Sequence, residues 1–110
     1  MHPFPHQYQV SISGAPTGNV TLKSPGLANL VSAPPAEFGG PGDQWSPETL
    51  LTAALGDCFV LSFRAVAAAS KFEWQQLECD VVGTLDRIER VSQFTRFVVK
   101  AKLTVPTGAD

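Results

Sequence analysis

Basic residues are sparse and scattered: 8 lysines and arginines stand against 10 aspartates and glutamates in 110 residues, giving a net charge of −2. A nucleic-acid surface needs a stripe of Lys and Arg to displace phosphate counterions, so nucleic acid is not an expected partner. The opening Met1-His2-Pro3-Phe4-Pro5-His6 has neither the positive start nor the apolar stretch of a secretory leader. Nowhere do 18 uncharged apolar residues follow one another, because Asp57 and Arg64 interrupt the most apolar segment. Together these absences predict a cytoplasmic protein with no membrane partner. Cysteine is scarce as well. In such a compartment Cys58 and Cys79 are expected as free thiols rather than a structural bridge. His2 and His6 have no third ligand at a useful spacing, so no metal site is expected.

What the chain does have is enough apolar material, 44% of its residues, to build one domain over 1–110. Residues 6–13 alternate, with Tyr8, Val10 and Ile12 on one face, which predicts a half-buried strand. Gly14 to Gly18 supplies a turn into a second strand carrying Val20 and Leu22, and a short third strand is expected around Ala28–Ser32. Residues 34–45 are too rich in proline and glycine for regular structure. Phe38 and Trp45 are the bulky apolar residues of that loop; they either anchor it to the core or line a site. After Lys71 the period becomes two. Leu77, Cys79, Val81 and Leu85 share one strand face, Arg87–Gln93 reverses the chain, and Thr95, Phe97, Val99, Ala101, Leu103 and Val105 form the apolar face of a final strand. Strands before and after a helix indicate the α+β class.

The helix between them is the clearest local signal. Ser46 suits an N-cap, Pro47 the first helical position, and Glu48 the positive end of the helix dipole. From there to about Ser70 the sequence is rich in Ala and Leu and apolar on all sides. Such a helix must be covered on all sides, and a chain of this size cannot wrap one about 35 Å long. A second copy is expected to complete the cover, most simply as a two-fold dimer.

Cys58 lies in the middle of this helix, within Leu55-Gly56-Asp57-Cys58-Phe59. On pattern alone it is either a packing residue in a buried helix or a nucleophile, and the helix N-terminus is too distant to activate it. Cys79 reads as a small apolar core residue.

Three segments in fixed order narrow the choice. Pro34-Pro35-Ala36-Glu37-Phe38-Gly39-Gly40, Trp45-Ser46-Pro47-Glu48-Thr49-Leu50-Leu51 and Ala54-Leu55-Gly56-Asp57-Cys58-Phe59 together resemble the central signature of the OsmC/Ohr family. That signature is a P-x-E-x-G-G loop, an N/S-P-E helix start, and a cysteine ten residues past the glutamate. Leu77-Glu78-Cys79, Gly83 to Arg87 and Phe94 to Phe97 are similar to the family's later strands. The resemblance implies an OsmC-like α+β fold, with antiparallel sheets around a long buried central helix in an intertwined homodimer. It also implies a thiol-dependent peroxidase of oxidative-stress defence, needing no cofactor beyond an external thiol reductant. By position, Cys58 matches the peroxidatic cysteine and Glu48 the active-site glutamate. Phe38, Trp45 and Phe59 would then suit an apolar organic hydroperoxide. Within one helix ten residues separate Glu48 from Cys58 by about 15 Å, so a Glu48 that serves Cys58 must come from the partner chain. Otherwise Glu48 simply complements the helix dipole.

The resemblance departs from the family at two places. Hydroperoxide-reducing members carry an arginine in the first hairpin, in a Gly-Gly-Arg-x-Gly context; here the stretch is Ser13-Gly14-Ala15-Pro16-Thr17-Gly18, with Pro16 where the arginine would stand. A buried thiol lacking a cation stays protonated, its reference pKa being about 8.5. The family also continues into a helix bearing a resolving cysteine, whereas this sequence stops at Thr107-Gly108-Ala109-Asp110, which reads as a C-terminal truncation in preference to a one-cysteine variant. The second reading is therefore a non-enzymatic dimer that binds a hydrophobic small molecule at its interface, with Cys58 only packing.

Overall fold

The computed structural model describes residues 2–108. The chain forms two compact units, Met1–Pro47 and Glu48–Asp110.

The first unit is built on a three-stranded antiparallel sheet in the order β1 (Ser11–Ser13), β2 (Val20–Lys23), β3 (Leu30–Ser32). The expected hairpin and third strand are present, but β1 is far shorter than the alternation of residues 6–13 suggests. Its register explains why. Ser11 pairs with Lys23, and continuing it would set Gln9 opposite Pro25, which has no N–H to donate. The Ser24 hydroxyl instead donates to the Gln9 carbonyl at 2.8 Å. Tyr8, Val10 and Ile12 are accordingly exposed rather than half-buried.

Beyond β3 the chain makes a closed loop. Ser32 bridges Trp45 in parallel, and the Ala33 N–H donates to the Trp45 carbonyl at 2.8 Å. Inside the loop a single 3-10 turn, Ala36–Phe38, ends at Gly39 with φ 86. The Gly40 N–H returns to the Pro35 carbonyl at 3.0 Å. A Cβ on Gly40 would run into the Pro34 carbonyl, so the Gly-Gly pair is a steric requirement of this turn: one residue adopts positive φ and the next permits the close approach.

Helix α1 (Pro47–Ala69), which from Glu48 onward belongs to the second unit, matches the expected span. Ser46, immediately before it, is buried. At its other end the Phe72 N–H bonds the Ala67 carbonyl at 2.9 Å and the Lys71 N–H bonds that of Ala68 at 3.2 Å, with Lys71 at φ 56. That is the paired-bond, left-handed termination usually given to glycine. Phe72 and Trp74 then meet Phe63 edge-on, at centroid distances of 6.4 and 5.1 Å, and tie the helix end to the strand that follows.

Two long strands, β4 (Gln76–Ile88) and β5 (Val91–Thr104), form an antiparallel hairpin. Leu77, Cys79, Val81, Gly83 and Leu85 form its partly buried inner face, as their alternation predicts. On the outer face Glu78 stands opposite Lys102 and Asp80 opposite Lys100, complementary pairs that suit a solvated surface. Two details differ from expectation. The reversal takes only Glu89 and Arg90, with φ 50 and 69, rather than Arg87–Gln93. Both residues adopt the left-handed conformation of a tight primed turn without the Asn or Gly that would have announced it. In addition, the register shifts between Thr84 and Leu85. Thr95 is the extra residue, so Phe94 rather than Thr95 joins Phe97 on the inner face, where the rings stack at 4.9 Å.

Helix and hairpin meet at two glycines. A Cβ on Gly56 would lie 2.8 Å from Val81 Cγ2, and one on Gly83 would lie 2.8 Å from Phe97 Cε1 and 2.9 Å from Thr52 Oγ1. Thr52, Gly56, Val60, Phe63 and Ala67 form the covered stripe of α1, at the spacing of one helical face. Gly83→Val should therefore destabilise the protein by about 2–3 kcal/mol through overpacking, read as a lower urea midpoint. An unchanged midpoint would contradict this contact.

Apart from the partly covered Glu48 and Leu50 in the first turn, the remainder of α1 is exposed. Leu51 is 53% and Leu61 50% exposed, and Leu55, Phe59 and Val66 are exposed as well. The helix is thus buried on one side only within the chain, not all round. By length and composition α1 is also apolar enough to cross a membrane, although one face is committed to the hairpin and Asp57 and Arg64 lie within it.

Candidate functional site

Cys58 sits on α1 roughly opposite the covered stripe, since two residues beyond Gly56 is about 200° of rotation. It is a free, exposed thiol, where burial was expected from the apolar helix. The difference has a simple cause: one chain covers a single face of α1, and Cys58 belongs to another, together with Leu51, Leu55, Leu61 and Ser62. The Ser62 hydroxyl is one helical turn away, with its Oγ 3.7 Å from Cys58 Sγ.

Cys79 occupies the other side. Its Sγ would lie 3.9 Å from a Cβ on Gly56, placing this half-buried thiol between helix and hairpin. The body of α1 therefore separates the two sulfurs. A disulfide needs Cβ atoms about 3.5–4.5 Å apart, so Cys58 and Cys79 of one chain cannot pair in this fold.

Glu48 stands in the first turn of α1, and the Thr52 hydroxyl donates to its backbone carbonyl at 2.8 Å. One carboxylate oxygen, Oε1, is buried with no hydrogen-bond partner among the described residues. A buried acceptor left unsatisfied costs about 1–3 kcal/mol, a cost that a water or another group donating to Oε1 would remove. Because α1 is unbroken from Pro47 to Ala69, Glu48 and Cys58 of one chain stay about 15 Å apart along its axis.

The three aromatic candidates divide between the units. Phe59 is exposed beside Cys58 in the second. Phe38 and Trp45 lie on the closed loop of the first and are 58% and 48% exposed, which does not fit side chains anchoring a loop in a core. Pro16 falls in the bend that joins β1 to β2. Ser62 escaped notice in the sequence. Its only signal was the spacing Cys58 to Ser62, which places two side chains on one helical face.

Comparison with known families gives a match to the model described as OsmC-like protein over residues 40–110. Among solved structures the chain is similar to an OsmC-like protein of unknown function from Vibrio cholerae. The TM-score is 0.86 at 14% identity, over 96% of this chain and 79% of that one. It is also similar to a Legionella pneumophila protein described as an organic hydroperoxide resistance protein OsmC. There the TM-score is 0.67 at 25% identity, over 92% of this chain and 70% of that one. A search of curated proteins finds no match.

Proposed function

The chain belongs to the OsmC-like protein family, and from that premise we propose that it is a thiol-dependent peroxidase of small organic hydroperoxides, acting as a two-fold dimer in the cytoplasm. The observation that carries the reading is the division of labour along α1. Cys58 is a free thiol on the uncovered apolar face, while ten residues upstream Glu48 holds a buried carboxylate oxygen without a donor. A second copy seated on that face covers Leu51, Leu55 and Leu61, and brings the Glu48 of one chain toward the Cys58 of the other. No cofactor enters the scheme.

The chemistry is a two-electron exchange. The Cys58 thiolate attacks the terminal oxygen of R–O–O–H and forms an S–O bond as the O–O bond breaks. The alkoxide leaves and takes up a proton to become R–OH, and the sulfur becomes a sulfenic acid. Since Cys79 is on the far side of the helix, an external thiol condenses with the sulfenic acid, releasing water and leaving a mixed disulfide. A second thiol displaces Cys58 from that disulfide. Overall, one hydroperoxide and two thiols give one alcohol, one water and one disulfide. Phe59 beside Cys58 suits the hydrocarbon part of the substrate.

The test is consumption of cumene hydroperoxide with dithiothreitol as reductant. Turnover is expected in the wild type and is lost in Cys58→Ser. A folded protein without turnover would remove the peroxidase reading. Pro16, standing where hydroperoxide-reducing relatives carry arginine, favours the second reading, a dimer that binds an apolar small molecule on the same face.

A further inference from the structure

We propose that Ser62 is a positioning residue for Cys58: its hydroxyl donates a hydrogen bond to the Cys58 sulfur and supports the thiolate that reacts. The inference rests on the reading of Cys58 as the nucleophile and adds to it a group that the sequence comparison does not mark.

The geometry is specific. Cys58 Sγ and Ser62 Oγ are 3.7 Å apart, within the reach of a hydrogen bond to the large sulfur atom, and the one-turn spacing keeps them on the same face of a continuous helix. A helical serine ordinarily turns its hydroxyl back to the carbonyl four residues earlier; here the sulfur of that same residue lies within reach. With a thiol either atom can donate, but with a thiolate only the serine can, and a hydrogen bond to the charged form is the stronger one. The contact therefore fixes the sulfur on this face of the helix and offers the reacting form a donor. No other hydroxyl or cation is required by this arrangement, and Pro16 supplies none. On the uncovered face water competes for the sulfur. Once a second copy excludes that water, the same bond strengthens.

The charged surroundings are common to all variants of Ser62. On α1 they are Glu48, Asp57 and Arg64. On the hairpin packed against it, Glu78, Asp80, Asp86, Arg96, Lys100 and Lys102 take the outer positions of the register, and Arg87, Glu89 and Arg90 stand at the tip. Under the helix the titratable group is the Cys79 thiol. Any change on substituting Ser62 thus reports the hydroxyl.

The experiment is the rate of iodoacetamide alkylation of Cys58 in the full chain between pH 6 and 10, read by peptide mass so that Cys79 is scored separately. Wild type is compared with Ser62→Ala and Ser62→Thr. Alanine is the best helix former and the site is exposed, so the fold is retained; circular dichroism checks this. In Ser62→Ala, alkylation at neutral pH should slow by about three- to tenfold, and Ser62→Thr should restore the wild-type rate. Equal profiles for wild type and Ser62→Ala overturn the inference. So does a slow Ser62→Ala that threonine fails to rescue, which would make the effect one of shape. No hydroperoxide is involved, so a protein that lacks peroxidase turnover but shows the alkylation shift would lose the enzymatic reading and keep this one.

Discussion

Leu55→Asp combined with Leu61→Asp should convert a dimer into monomers in analytical ultracentrifugation, weakening association by at least about four orders of magnitude. Both leucines are exposed in the single chain, so the substitutions offend nothing within it. In a two-fold interface each change counts twice. Uncovering a leucine costs about 1.5–3 kcal/mol, and a carboxylate enclosed without a partner adds several more. The case for a second copy also rests on what the chain fails to bury. Among the described residues the buried apolar side chains are Ala33 and Ala67, and every described Leu, Ile, Val and Phe keeps some exposure. A domain of this size ordinarily encloses several such side chains completely. A wild-type protein that sediments as a monomer at micromolar concentration would contradict the dimer.

Mixing two inactive proteins should restore activity. Cys58→Ser lacks the nucleophile and Glu48→Gln lacks the carboxylate; as homodimers each is expected to fall by about a hundredfold or more in turnover. A mixed dimer differs. The intact Cys58 comes from the Glu48→Gln chain and the intact Glu48 from the Cys58→Ser chain, so one of its two sites is whole. After subunit exchange at equal amounts half the dimers are mixed, and about a quarter of wild-type activity per chain should return, as two-fold symmetry requires. The reasoning is geometric: 10 residues of unbroken helix hold the two groups about 15 Å apart in one chain. If Glu48 acted within its own chain, the mixture would stay inactive. If Glu48 only complemented the helix dipole, Glu48→Gln would retain turnover by itself.

Helix α1 was readable almost to the residue, because Ser46-Pro47-Glu48 is an explicit start signal and the run of helix formers ends at Ser70-Lys71. The inner and outer faces of β4 followed from strict alternation. The bulge at Thr95 and the turn at Glu89-Arg90 were not readable, since each is fixed by pairing between strands and neither carries a glycine or asparagine to signal positive φ. Tyr8 and Val10 continue the pattern of β1 without a partner to extend it, because Pro25 ends the pairing of β2. In the candidate site, the Glu48 and Cys58 spacing was visible as a motif. The exposure of Cys58, its contact with Ser62 and the unsatisfied Glu48 oxygen required three dimensions. Cys79 illustrates the same limit: its alternation marks a core position, but only its place under Gly56 shows that it cannot reach Cys58.

The most direct test of Cys58 as the reacting residue is to trap its first product. One equivalent of cumene hydroperoxide is added to the reduced protein in the presence of dimedone, and peptides are mapped by mass spectrometry. A dimedone adduct on the Cys58 peptide in proportion to the peroxide consumed, with Cys79 unmodified, is the predicted result. Unconsumed peroxide with both thiols intact, or an adduct confined to Cys79, would contradict it.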